Sequence, residues 1–170
     1  PGTLAACANV FPLEFASDDT ADMFVGMLIA GASSPLYQRL REEKAYCYSC
    51  QLATHSYRGF QLVEFNAFTS MERLQPFWQD CWQVMASPIE LSQQRLEWYK
   101  HHTGAAFRHS EFGPVRAART AASHLLQYGR VIPRNEYFAN LQKVTLEQVH
   151  EWQATHFNPE VCAHFVFTNK

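Results

Sequence analysis

The residues that could bind a metal are spread along the chain and form no recognised zinc motif, since neither H-x-x-E-H nor H-E-x-x-H occurs in the sequence. Glu97 and His101 are spaced i, i+4 with His102 beside them, and His109 and Glu111 follow in a predicted loop. A catalytic zinc needs about three protein ligands and ordered outer partners. We therefore interpret these residues as solvated and predict no metal cofactor in this domain. The other histidines suggest no cluster: His55, His124, His150, His156 and His164.

The nucleophilic residues do not predict a hydrolase site either. Ser33 and Ser34 precede Pro35 at a predicted helix start, where a hydroxyl usually caps the helix. No G-x-S-x-G elbow is present. Cys7 or Cys81 could be paired with a histidine, but nothing in the sequence fixes such a geometry.

Cys47 and Cys50 form a C-x-x-C sequence. A redox pair of this type needs a helix N-terminus to stabilise the thiolate, whereas these two lie in an aromatic-rich run that predicts a strand. Alternation along a strand would place them on opposite faces, so we interpret them as buried small side chains, with redox or zinc binding as the minor alternative. The five cysteines, odd in number and irregular in spacing, indicate reduced thiols and favour a cytoplasmic location.

Length and composition predict one folded domain over residues 1–170. Hydrophobic residues make up 47% of the chain and aromatic residues 14%, enough to bury a core. The formal charge of −2 gives no field that would favour nucleic acid or an anionic membrane, and no apolar run approaches the roughly 18 residues of a membrane span. The opening Pro1-Gly2 leads us to expect a fragment of a longer protein.

The hydrophobic periodicity predicts an α+β fold. Strands are predicted at 4–15, 46–55, 58–68 and 162–168, and helices at 18–29, 36–43, 72–85, 90–107, 115–128, 136–141 and 146–156. Within 58–68 the residues of one parity are more apolar than those of the other, as in a sheet with one buried face. The second and third strands should form a hairpin and the last strand should rejoin their sheet. We therefore expect a mainly antiparallel sheet with helices packed on one face.

The most informative segment runs from Leu28 to Ser49: LIAGASSPLYQRLREEKAYCYS. It resembles the region of the inverzincin metallopeptidases (the insulinase, pitrilysin and processing-peptidase type) in which a long helix is followed by a Gly-Ser-Ser turn and a Leu-Arg-Glu-x-x-Gly-Leu-x-Tyr-Ser junction. Arg58-Gly59-Phe60 and the closing segments 143–149 and 157–160 resemble later parts of the same repeat, so that the resemblance covers nearly the whole chain.

This resemblance implies a processing-peptidase-like half domain of the zinc-free kind. Members of the family combine a half that carries H-x-x-E-H and zinc with a half that lacks metal and contributes an Arg and a Tyr, seven residues apart. Arg41 and Tyr48 stand at that spacing, which implies that they assist catalysis and bind the substrate carbonyl or oxyanion. The implied partners are a zinc-binding sister domain or subunit and a peptide substrate, and the domain should not hydrolyse peptides alone.

Several departures and alternatives accompany this interpretation. Ala45 replaces the family's glycine, and would strain the turn if that position has positive φ. Tyr46 stands where an aliphatic residue is usual, and Arg39, a second cationic candidate, should point away from Arg41 on a helix. Arg41 could instead be a solvated partner of a neighbouring glutamate, with Tyr48 a core aromatic. The same fold could also serve as a catalytically inactive structural or assembly module.

Overall fold

The fold is known from a computed structural model that describes residues 3–11, 18–57, 60–109, 113–157, 160 and 162–167. The strands are β1 Thr3–Phe11, β2 Cys50–Tyr57, β3 Phe60–Thr69 and β4 Cys162–Phe167. The α-helices are α1 Asp18–Ile29, α2 Pro35–Tyr37, α3 Leu74–Ala86, α4 Gln93–His109, α5 Pro114–Tyr128, α6 Arg134–Lys143 and α7 Leu146–His156. A π-helical segment, Gln38–Glu43, directly continues α2.

The four strands form one antiparallel sheet in the order β2-β3-β1-β4. The β2–β3 hairpin pairs Cys50 with Ala67, and β4 returns to pair with β1, so both predicted connections are confirmed. Along β3 the buried residues are Gln61, Val63, Phe65, Ala67 and Thr69, so one parity of the strand faces the core, as the imperfect alternation indicated. The α+β class is likewise confirmed.

Helix α1 lies at the centre of the core, because six consecutive residues from Met23 to Leu28 are buried. Gly26 allows α4 to approach closely, since a Cβ at this position would overlap the ring of Tyr99. Arg95 of α4 donates through Nε to the carbonyl oxygen of Met27 at 2.7 Å and through its guanidinium to that of Ala30. These bonds satisfy carbonyls at the end of α1 that have no partner within the helix.

Some helix ends follow capping signals in the sequence, whereas Ser34, expected to cap α2, makes no capping side-chain hydrogen bond. Gly31 and Gly129 have φ of 77° and 69° and follow the ends of α1 and α5, as glycine in a left-handed conformation commonly does. Thr145 begins α7 with a reciprocal capping box: its Oγ1 accepts from the Gln148 N–H at 3.2 Å, and its own N–H donates to Gln148 Oε1 at 2.8 Å.

Three expectations about the elements need correction or lie outside the described residues. Residues 46–49 are not in a strand, because β2 begins at Cys50. Pro76, which would be expected to kink a helix over the predicted range 72–85, instead lies in the first turn because α3 begins at Leu74, and proline is tolerated there. Residues 12–17 and 168 lie outside the described residues, so the predicted ends of the first and last strands have no counterpart to compare. The same holds for 58–59 and 158–159, which belong to the segments that resemble the family.

None of the described helices has the length and apolar character needed to cross a bilayer.

Candidate functional site at the helix-to-strand corner

The predicted site lies where the π-helical segment turns toward β2. The Lys44 N–H donates to Arg39 O at 3.2 Å, a bond five residues back along the chain, and the Ala45 N–H donates to Arg41 O at 3.1 Å. Ala45 has φ of 51° and is the one non-glycine residue with positive φ in the described part of the chain. Alanine therefore occupies the left-handed position that ends a helix, where glycine is favoured because it has no Cβ.

Arg41 and Tyr48 lie together at this corner. The Arg41 Cζ is 4.8 Å from the centroid of the Tyr48 ring and 4.7 Å from that of Tyr37, so the guanidinium lies over two aromatic rings. Its Nε also contacts Glu42 Oε1 at 3.3 Å. Tyr48 is 81% exposed and is therefore not a core aromatic. Cation–π contacts stabilise a guanidinium by about 0.5–1 kcal/mol each at exposed positions, and here they hold it beside a phenol that faces solvent.

The pair borders an open depression of about 470 Å³ whose wall also includes Cys47 and Phe68. Phe68, at the end of β3, is 61% exposed, so the depression is lined by three aromatic residues, Tyr46, Tyr48 and Phe68, and by one guanidinium. A second depression, of about 600 Å³, lies at the C-terminal end of α5. Neither Arg41 nor Tyr48 borders it, and Arg130 is its one charged lining residue.

Arg39 points away from Arg41, as helical geometry predicts, and each of its three guanidinium nitrogens has a protein partner. Its Nε donates to Asp80 Oδ1 at 2.8 Å, its Nη1 to Glu43 Oε2 at 3.0 Å and its Nη2 to Gln83 Oε1 at 3.3 Å. The bond to Glu43 and the nearby Asp80 carboxylate raise the pKa of the Arg39 guanidinium. Arg39 is therefore a structural cation that joins the π-helical segment to α3.

Tyr46, which stands where the family usually has an aliphatic residue, forms a hydrogen bond with a residue of α3. The Tyr46 hydroxyl donates to Asp80 Oδ2 at 2.9 Å, which together with partial burial raises the pKa of the phenol. The backbone beside it is also held: Thr69 Oγ1 donates to Tyr46 O at 2.9 Å, and Arg73 Nη1 donates to Ala45 O at 2.6 Å. Bonds from β3 and α3 therefore hold the chain between Arg41 and Tyr48.

Sequence patterns did not identify these supporting residues, although Asp80 left a signal. It occupies a position of α3 on the same face as Phe77, Cys81 and Val84, all of them buried. A carboxylate on the apolar face of a helix must find hydrogen-bond donors, because burying it without a partner is costly. Arg73 and Thr69 gave no such signal, since their bonds run to backbone carbonyl oxygens.

The two thiols of the C-x-x-C sequence are buried, as expected, but the prediction that they lie on opposite faces was wrong. Cys47 precedes β2, so strand alternation does not govern its direction, and its side chain is hydrogen-bonded to that of Cys50. That contact and the nearby Arg41 lower the pKa of Cys47, whereas the same contact and burial raise the pKa of Cys50. Among the described residues, neither of these thiols forms a disulfide, and the same holds for Cys81 and Cys162.

The histidines and glutamates weighed as metal ligands do not converge. Glu97, His101 and His102 are exposed on α4, where Glu97 accepts from Gln93 Nε2 at 2.9 Å and His102 stacks on Trp98. No group of three or more metal-ligating side chains occurs among the residues that the structure describes. Glu111 and the side chain of His109 lie outside them.

Comparison with known proteins identifies the fold. Residues 4–101 match the family model described as the peptidase M16 inactive domain. The M16 inactive domain from Pseudomonas fluorescens has the same fold, with a TM-score of 0.79 and 16% identity over 97% of this chain and 40% of that chain. A chain of complex III2 from Candida albicans superposes with a TM-score of 0.83 and 12% identity over 98% of this chain and 42% of its own.

The ferredoxin protease FusC, in a mutant form bound to Arabidopsis ferredoxin, gives a TM-score of 0.69 and 18% identity over 98% of this chain and 19% of FusC. No curated protein sequence matches significantly. The chain thus spans only about two fifths, or less, of the three solved chains compared with it. Because the matched family model covers more than half of its residues, this chain belongs to the M16 peptidase family and is homologous to the inactive half of its zinc proteases.

Proposed function

We propose that this chain is the zinc-free half of an M16-type metalloendopeptidase, in which Arg41 and Tyr48 bind a carbonyl oxygen of a peptide while a separate half supplies zinc. The observation that carries the proposal is the position of the Arg41 guanidinium, 4.8 Å from the ring of the exposed Tyr48 at the edge of an open depression. A lone surface arginine would be solvated and mobile, whereas this one is fixed between two rings.

The geometry suits hydrogen bonding to a developing negative charge. A guanidinium has five N–H donors in one plane, and within the described structure only Nε of Arg41 has a protein partner, Glu42. The Tyr48 hydroxyl donates to no described residue, so it is available to a bound peptide. A zinc held by the separate half would activate water for attack on a peptide carbonyl. Donors already oriented in this half would stabilise the negative charge that develops on the carbonyl oxygen without further reorganisation.

The proposed substrate is an extended peptide or a small unfolded protein. The depression is open and bordered by the exposed Phe68, so it can take an extended segment better than a compact small molecule. One structural relative was solved as a ferredoxin protease bound to ferredoxin, which supports a protein substrate for this fold.

The alternative is a catalytically inactive assembly module. A chain of complex III2 has this fold with a TM-score of 0.83, so the fold also occurs in a large assembly. The replacement of the family's glycine by Ala45, with its positive φ, favours this alternative to the extent that it perturbs the corner.

The test uses the full-length protein together with its zinc-bearing half, whether in the same chain or in a partner chain. The double variant Arg41→Ala, Tyr48→Phe should lower kcat/KM for an unstructured peptide on the order of 10²-fold, because both donors to the carbonyl are lost. Zinc content and association of the halves should be unchanged.

The matched control removes the same chemical groups elsewhere. Arg119 of α5 and Tyr57 of β2 are exposed and border neither depression, and Arg119→Ala, Tyr57→Phe should leave kcat/KM within about twofold. Normal cleavage by the Arg41, Tyr48 variant would refute the proposed roles. Absence of any hydrolysis in the unaltered complex, with the halves still assembled, would favour the assembly module.

A further inference from the structure

Asp80 of α3 contacts both ends of the segment that carries Arg41 and Tyr48. Its Oδ1 accepts from Arg39, two residues before Arg41, and its Oδ2 accepts from Tyr46, two residues before Tyr48. The two bonds are 2.8 Å and 2.9 Å long, and the residue is only 8% exposed. One buried carboxylate of α3 therefore binds both the π-helical segment, through Arg39, and the residues that lead into β2, through Tyr46.

We propose that Asp80 is a positioning residue, which sets the separation of Arg41 and Tyr48 by holding Arg39 and Tyr46 at a common anchor. The inference rests on the proposed function, since the separation matters only if both side chains bind one peptide carbonyl. Asp80 borders neither depression, so it acts through its neighbours and not on the substrate.

The anchor is needed because the corner between the two site residues is strained. Ala45 has φ of 51°, a conformation that costs an alanine free energy relative to ordinary helix or strand geometry. Such a conformation persists only where the surrounding structure over-determines it. Arg73 and Thr69 hold two carbonyl oxygens of the corner, and Asp80 holds the side chains on either side of it.

The geometry of the pair can be observed without activity. We would introduce 3-fluorotyrosine at position 48 of the full-length protein and record its ¹⁹F resonance, which responds to the guanidinium over the ring. Arg41→Ala supplies the reference position for a ring without its cation. Asp80→Ala should move the resonance toward that reference, whereas Asp80→Asn should leave it near the original position. An asparagine can accept from Arg39 and donate to the Tyr46 oxygen, and so preserves both contacts.

Two further variants keep the test decisive. Gln79→Ala, at the exposed neighbouring position of α3, should not move the resonance. Tyr46→Phe retains the ring, whose centroid lies 6.2 Å from that of Phe77, and removes one of the two hydrogen bonds to Asp80. It should therefore move the resonance in the same direction as Asp80→Ala, by a smaller amount. If Asp80→Ala does not fold, the Tyr46→Phe result decides the question.

The second test of the positioning role measures peptide hydrolysis. In the assembled enzyme, Asp80→Ala should lower kcat/KM about tenfold to a hundredfold, because misplacement of about 1 Å has effects of that size, and Asp80→Asn should restore most of it. In the Arg41→Ala, Tyr48→Phe background the same change should cause no further loss, since non-additivity of this kind marks residues that act as one unit. A general loss of folded protein would instead be additive.

The outcomes separate this inference from the proposed function. A folded Asp80→Ala or Tyr46→Phe protein with an unmoved resonance overturns the positioning role. A moved resonance together with a harmless Arg41, Tyr48 double variant overturns the proposed function and leaves the positioning role standing.

Discussion

Replacing Ala45 by glycine should stabilise this protein, although the same replacement usually destabilises one. Ala45 has φ of 51°, and the left-handed conformation costs an L-residue about 1–2 kcal/mol. Glycine removes that cost but loses about 0.5–1 kcal/mol through the greater freedom of the unfolded chain. Ala45 is exposed, so its methyl group contributes little packing. The net change is a gain of about 0–1.5 kcal/mol in the free energy of unfolding, centred on about 0.75 kcal/mol.

The measurement is the midpoint of urea and thermal unfolding, with the thermal midpoint expected to rise by about 1–4 °C for a chain of this size. The backbone contacts of the corner survive the change, because Arg73 donates to the carbonyl oxygen of residue 45 and not to its side chain.

Ala118→Gly is the matched control, since it makes the same replacement at an exposed position within α5. Glycine within a helix costs about 1 kcal/mol, so the control should lower the midpoint. If Ala45→Gly lowers the midpoint as Ala118→Gly does, the conformation at residue 45 carries no strain, and the need for an anchor at Asp80 is also lost.

Two further substitutions test the packing and capping around the site's scaffold. Gly26→Ala should destabilise the protein by about 1–3 kcal/mol in urea unfolding, because the added Cβ overlaps the ring of Tyr99 and either that ring or one of the two helices must move. An unchanged midpoint would show that α1 and α4 are less closely packed. Thr145→Ala should lower the free energy of unfolding by about 1 kcal/mol, because it removes the acceptor for the Gln148 N–H. Thr145→Ser keeps the hydroxyl and should lower it much less. Equal losses in the two variants would assign the effect to the methyl group.

The fold could be predicted from sequence where its determinants are local. Helix α7 was predicted with its observed bounds because Thr145 is a typical cap residue, and α5 ends before Gly129 as expected. The single buried parity of β3 was also visible in its alternating apolar residues. Each of these signals depends on residues within a few positions of one another. The cytoplasmic location and the single-domain extent depend on no such signal and stay predictions.

The site could be predicted only in part. The spacing of Arg41 and Tyr48 pointed to the pair through a family resemblance, but the structure alone shows that the two side chains touch. Residues 46–49 were expected in a strand because their composition is aromatic. They are instead held at a corner by Thr69 and Asp80, and composition carries no information about such partners.

The sequence by itself determined the class of fold, the family and the absence of a zinc motif, because periodicity, capping and motif order are written in neighbouring residues. The resemblance and helical geometry already favoured Arg41 over Arg39, but only the tertiary structure shows what binds Arg39. Arg39 and Arg41 are two residues apart and chemically identical, yet Asp80, 41 residues further along the chain, binds Arg39. Arg41 is left beside Tyr48 because chain folding, and not local sequence, brings that carboxylate to one side of the helix.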